Sequence, residues 1–121
     1  MNFKRKIDLK VACSIQLKIQ LIFYASSYEL RALRQFESDD QVISYSRCPY
    51  ILKYTYKNKK KRYFPDLLIV YKNGQKEIVE VKPHYLLEDE INILKFAAAE
   101  QFAKENNMKF KILTERQLEG L

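Results

Sequence analysis

Three observations place this chain in the α/β class, with a mixed β-sheet flanked by helices. Residues 62–82 hold two apolar runs, Leu67-Leu68-Ile69-Val70 and Ile78-Val79 with Val81, separated by Asn73-Gly74, a strong short-range hairpin signal. A broad apolar pattern over residues 86–106 follows, the mark of a long helix laid across a sheet. Residues 108–113 then alternate as a last strand, with Phe110 and Ile112 on one face. A connection of more than about a dozen residues allows that strand to lie parallel to the one before the helix, which makes the sheet mixed.

At 121 residues the chain is the size of one domain, and its 47% hydrophobic content is that of a globular protein. A net charge of +7 and a pI near 9.4 favour a polyanionic partner through counterion release from phosphates. No apolar run reaches the roughly 18 residues of a membrane span, and the N-terminus lacks the apolar segment of a signal peptide. Cys13 and Cys48 are too few for a disulfide framework or a zinc site. A reducing, cytoplasmic setting is therefore expected.

Residues 1–24 alternate at Ile7, Leu9 and Val11, then at Ile15, Leu17, Ile19, Leu21 and Phe23, which suggests strand in an accessory N-terminal segment, residues 1–25. Ser26-Ser27-Tyr28-Glu29 reads as a capping box opening a helix over residues 26–37. At 100° per residue Glu29 also falls between Leu33 and Phe36 on the apolar stripe, which aims its carboxylate at the core. The cap and the inward-facing carboxylate are competing readings. Residues 42–48 and 50–56 read as strands separated at Pro49, and residues 57–62, KNKKKR, as a basic turn.

The hairpin carries charge inside apolar runs: Asp66 after Pro65, then Glu80 and Lys82. Side chains two apart on a strand share a face, so Glu80 and Lys82 point the same way. A two-residue Asn73-Gly74 loop would set Asp66 opposite Val81, on the wrong face. A three-residue loop, Lys72-Asn73-Gly74, with Gly74 left-handed in a G1 bulge, pairs Tyr71 with Gln75 and sets Asp66 opposite Glu80. Two carboxylates that close repel unless a proton or cation lies between them, and a hard divalent ion is the common solution. Beyond the hairpin, Pro83 ends its second strand. In the long helix Ile91, Leu94, Ala98 and Phe102 form one stripe with Ile93, Phe96 and Ala103 beside it, while Glu88, Asp89 and Glu90 complement its dipole. His84 is expected on the surface, and Thr114 is expected to cap a short terminal helix.

Pro65-Asp66, thirteen intervening residues and Glu80-Val81-Lys82 resemble the PD-(D/E)xK nuclease signature. Together with Ser27-Tyr28-Glu29-Leu30, Phe36-Glu37-Ser38-Asp39, Tyr63-Phe64, Asn73-Gly74 and Leu113-Thr114-Glu115, they resemble the TnsA-type endonuclease domain of Tn7-like transposons over residues 26–115. The resemblance implies a restriction-endonuclease-like fold and a metal-dependent DNA endonuclease. Asp66, Glu80 and the Val81 carbonyl would hold one or two Mg²⁺ ions, or Mn²⁺, with Glu29 contributing directly or through water. Carboxylates favour the charged ammonium beside them, which suits Lys82 to positioning water or phosphate. Lys57, Lys59, Lys60, Lys61 and Arg62 become a DNA-phosphate clamp. Family members cut one strand in transposon excision alongside a separate transposase, and usually carry a further helical domain after the nuclease core. This chain ends where that domain would begin, which favours a free-standing nuclease, phage- or transposon-encoded, or a junction-resolvase-like homodimer, over a transposase partnership. The rival expectation is a non-catalytic nucleic-acid-binding or assembly protein on the same fold.

Overall fold

The computed structural model describes residues 27–118; the N-terminal alternation and the Ser26 cap lie outside them. In chain order the elements are α1 (Ser27–Ser38), β1 (Val42–Arg47), β2 (Leu52–Tyr56), β3 (Lys59–Tyr63), β4 (Leu67–Tyr71), β5 (Lys76–Val81), a 3₁₀ turn (His84–Leu86), α2 (Glu90–Glu105), β6 (Lys109–Leu113) and α3 (Glu115–Leu118). β1, β4, β5 and β6 form one sheet in that spatial order. β1 and β5 run antiparallel to β4, and β6 runs parallel to β5, so the sheet is mixed, as its crossover length predicts. β2 and β3 form a separate antiparallel ribbon.

Strand alternation sorts the core into two layers. Leu67 and Ile69 of β4, Val79 and Val81 of β5, and Leu113 of β6 pack with Ala32, Leu33 and Phe36 of α1 and Leu118 of α3. On the ribbon side Leu52, Tyr63 and Ala99 of α2 form a second cluster, ringed by Tyr50, Tyr54, Phe102 and Phe110. Glu80 lies between Val79 and Val81, so it projects on the face opposite α1. α3 is held by a reciprocal cap: Thr114 Oγ1 accepts from Arg116 N at 3.2 Å, and Gln117 Oε1 accepts from Thr114 N at 2.7 Å.

The turn joining β4 to β5 has three residues. Tyr71 N donates to Gln75 O and Gly74 N to Tyr71 O, each at 2.9 Å, and Gly74 sits at φ +85°. Asn73 Oδ1 accepts from Gln75 N at 2.9 Å and pins the loop. A Cβ at Gly74 would meet nothing within 4 Å, so the cost of Gly74→Ala is backbone strain alone. It should destabilise the protein by about 1–2 kcal/mol, read from denaturant midpoints at unchanged m-value. An unchanged midpoint would show that the turn tolerates a side chain in the left-handed region.

Two expectations need correction. Residues 57–62 are not a basic turn: only Lys57 (φ 50°) and Asn58 (φ 63°) turn, as a two-residue left-handed loop, and Lys59–Tyr63 is a strand. Five strands therefore precede the long helix rather than four. The long helix begins at Glu90, because the chain after Pro83 first makes a 3₁₀ turn whose Leu86 carbonyl accepts from Asn92 Nδ2 at 2.9 Å. Its buried face is Asn92, Phe96, Ala99 and Ala103, with Ile93 half exposed. The hydrogen bond of Asn92 lets an amide occupy a position that apolarity alone would have assigned to Ile91 or Leu94.

Candidate active site

The three-residue turn makes the residue numbers of each β4–β5 pair sum to a constant: Leu67 faces Val79 and Ile69 faces Glu77. Carried one residue further, the ladder sets Asp66 opposite Glu80. The two strands exchange side-chain bonds there. Asp66 N donates to Glu80 Oε1 at 3.1 Å, and Val81 N donates to Asp66 Oδ2 at 2.8 Å. Each carboxylate is thereby oriented by the opposite backbone. Lys82 Nζ stands 3.7 Å from Glu80 Oε2, and its own backbone is tied to the parallel strand by Lys82 N donating to Leu113 O at 2.9 Å.

Glu80 is 4% exposed. Burial first, and then the charge of Asp66, push its carboxyl up to about 8, with Lys82 pulling the other way. Burial also raises Asp66, opposed by the Val81 N–H and by the charges of Lys82 and Arg47. Without a cation the pair therefore holds a proton near neutral pH, shared between two carboxyls that cannot both ionise cheaply.

Two residues not anticipated from sequence line the same site. Cys48 continues the β1–β4 ladder, donating from its N to Asp66 O at 3.2 Å, and burial with the charges of Glu80 and Asp66 raises its thiol. Tyr63 is the last residue of β3 and is 3% exposed. Its hydroxyl is enclosed without a well-aligned hydrogen-bond partner, and burial together with the nearby Glu80 raises the phenol. The Tyr-Phe-Pro-Asp order was the available signal, since it carries the chain from the end of the ribbon straight to Asp66.

Glu29 is paired with the edge strand of the sheet, and the capping-box alternative, which needs Ser26, lies outside the described residues. Its Oε2 lies 3.8 Å from Arg47 Nη1, and α1 packs on the face opposite Glu80. Among the described residues no group of three His, Cys, Asp or Glu side chains is gathered to hold a metal ion. Asp66 and Glu80 are thus brought together, Lys82 beside them, while Glu29 reaches the site through Arg47, whose charge acts on Asp66. Lys57, Lys59, Lys60, Lys61 and Arg62 are all exposed, on the ribbon. His84 is exposed too, its backbone N bound to Glu115 Oε1 at 2.9 Å. A cleft of about 300 Å³ lined by Tyr50, Gly74, Lys76, Asn106, Asn107 and Met108 lies toward the turn end of the hairpin and contains neither carboxylate.

A mixed sheet flanked by helices, with acidic residues paired across the hairpin that precedes the crossover helix and a lysine two residues on, has the layout of a restriction-endonuclease-like domain. A family model described as TnsA-like endonuclease N terminal matches residues 39–115, more than half of the chain. The chain belongs to that family. No curated protein matches it. No helix among the described residues is long and apolar enough to cross a membrane.

Proposed function

We propose that this protein is a metal-dependent endonuclease that hydrolyses phosphodiester bonds in DNA. The observation that carries this is the cross-strand pair of a partly buried Asp66 and a buried Glu80, reciprocally bonded and beside Lys82. A buried pair of carboxylates costs stability unless it meets a cation, and the donors here are all oxygens. Mg²⁺ is commonly bound by one or two carboxylates, with waters and substrate phosphate oxygens completing its sphere. The site suits that ion, with Mn²⁺ as its substitute.

Asp66, Glu80 and the Val81 carbonyl would hold it. When bound, the ion supplies Lewis acidity toward the phosphate and an acidified water. The protein's own part is orientation. The Val81 and Asp66 amides fix the two carboxylates. Lys82, whose side chain is 23% exposed, offers three donors to the attacking water or to a non-bridging phosphate oxygen. Arg47, steadied by Glu29, adds positive charge on the β1 side of Asp66. In the reaction a water oxygen bonds to phosphorus, one P–O ester bond breaks, and the departing oxygen leaves protonated.

The direct test incubates the protein with linear duplex, single-stranded and four-way-junction DNA, with and without Mg²⁺ or Mn²⁺. Cleavage only with metal is expected. Binding without cleavage under every condition, with no heat of Mg²⁺ binding by calorimetry, would leave a non-catalytic nucleic-acid-binding protein on a nuclease fold.

A further inference from the structure

The β2–β3 ribbon is a charged arm built on the wall of the active site. Residues 41–65 contain no Asp or Glu, and the ribbon with its turn carries Lys53, Lys57, Lys59, Lys60, Lys61 and Arg62. All six are exposed. None makes an ion pair with a described residue; Lys57 lies over the Tyr56 ring at 5.2 Å.

Register divides these cations. Leu52 faces Tyr63, Tyr54 faces Lys61 and Tyr56 faces Lys59, on the side whose root packs against Ala99 of α2. Lys53 faces Arg62 and Thr55 faces Lys60, on the opposite side, and these four residues are all exposed. Like charges directly opposite on a two-stranded ribbon destabilise it. The Lys53–Arg62 pair, with Lys60 beside it, has no internal compensation, and a polyanion supplies what the fold omits.

The ribbon's root is also the site. Tyr63 ends β3 beside Glu80, and from Tyr63 to Lys59 the strand rises about 14 Å, roughly four base pairs of DNA at ~3.4 Å each. The major groove of B-form DNA, about 12 Å wide, admits a two-stranded β-ribbon. The groove of A-form RNA is too narrow and deep for one.

Resting on the nuclease reading above, the geometry points to the β2–β3 ribbon as the arm that holds the substrate duplex, laid along its major groove to one side of the cut with the Lys53, Lys60 and Arg62 face turned to the DNA. Binding is measured without metal, by fluorescence anisotropy at several salt concentrations, on a DNA duplex, one of its strands, and an RNA duplex of the same sequence. The variants are Lys53→Ala/Lys60→Ala/Arg62→Ala and, on the other face, Lys59→Ala/Lys61→Ala. The first should flatten the dependence of log K on log salt by about 0.9 for each phosphate left unneutralised, up to about 2.7 for three. The second should flatten it less, and Lys53→Arg/Lys60→Arg should keep it. Thermal melts establish folding, and removal of the like-charge pair should hold or raise the melting temperature. An unchanged slope in the first variant, a larger loss in the second, or RNA duplex or single strand bound as tightly as DNA duplex overturns the ribbon's role. Metal-dependent cleavage by the wild type in that case leaves the nuclease reading standing; absence of both binding and cleavage by the wild type overturns both.

Discussion

Glu80→Gln should abolish DNA cleavage while making the metal-free protein more stable. Glutamine keeps an oxygen where Glu80 Oε1 accepts from Asp66 N at 3.1 Å, so the hairpin geometry survives. It removes the charge that burial and Asp66 penalise. It also removes a proposed ligand for the cation, whose contribution to charge stabilisation in phosphodiester hydrolysis would amount to several kcal/mol, on the order of 10³-fold in rate. Asp66→Asn should behave alike, because an amide oxygen can still accept from Val81 N. The stabilisation that Mg²⁺ confers on the wild type should shrink in both variants. DNA affinity in metal-free buffer should hold or rise, since a negative charge near the phosphates is gone. Cleavage at the wild-type rate by either variant would show that this pair is not the catalytic centre.

A second large effect is expected in the pH dependence of metal-free stability. The Glu80 carboxyl goes from an ordinary value of 4.5 to about 8 on folding. Between those values the folded chain holds a proton that the unfolded chain has released, so stability falls as pH rises. The contribution is fully present below 4.5 and lost as pH passes 8. With Glu80 buried, the loss should be on the order of a few kcal/mol, a drop in melting temperature of about 10 °C for a chain this size. Saturating Mg²⁺ should flatten the profile above pH 7, and Glu80→Gln should flatten it without metal. A wild-type melting temperature in metal-free buffer that stays level from pH 5 to pH 8.5 would contradict the buried, conflicted pair.

The hairpin was legible because its geometry is local: a glycine able to take φ +85° and a count of residues were enough to set Asp66 against Glu80. The α2 crossover and the parallel β6 followed from length. What escaped was set by tertiary neighbours or hidden by charge. The β2–β3 ribbon was obscured because lysines fill both its faces, leaving no apolar alternation in Lys59–Tyr63. Its signal was Lys57-Asn58, an asparagine-bearing turn with Tyr54 and Tyr56 before it. Cys48 and Tyr63 enter the site from β1 and β3, which no spacing within the β4–β5 hairpin specifies. Glu29 kept its inward orientation but met Arg47, a partner contributed by the edge strand.

The turn at Gly74 also bears on the order in which the molecule assembles. Asp66 and Glu80 are fourteen residues apart in sequence, a span that a hairpin closes within about 1–10 μs. β6 meets β5 only through longer closures such as Glu77 with Lys109, which pay more loop entropy. The charge conflict arises first from burial, so it is expected to grow only after the hairpin closes, as the later contacts exclude water. In metal-free buffer at pH 8 it should then act by hastening unfolding more than by slowing folding. A divalent cation or a lower pH should accordingly move the unfolding limb of the chevron and leave the refolding limb nearly still, so that neutralising the site prolongs the native state rather than speeding its formation.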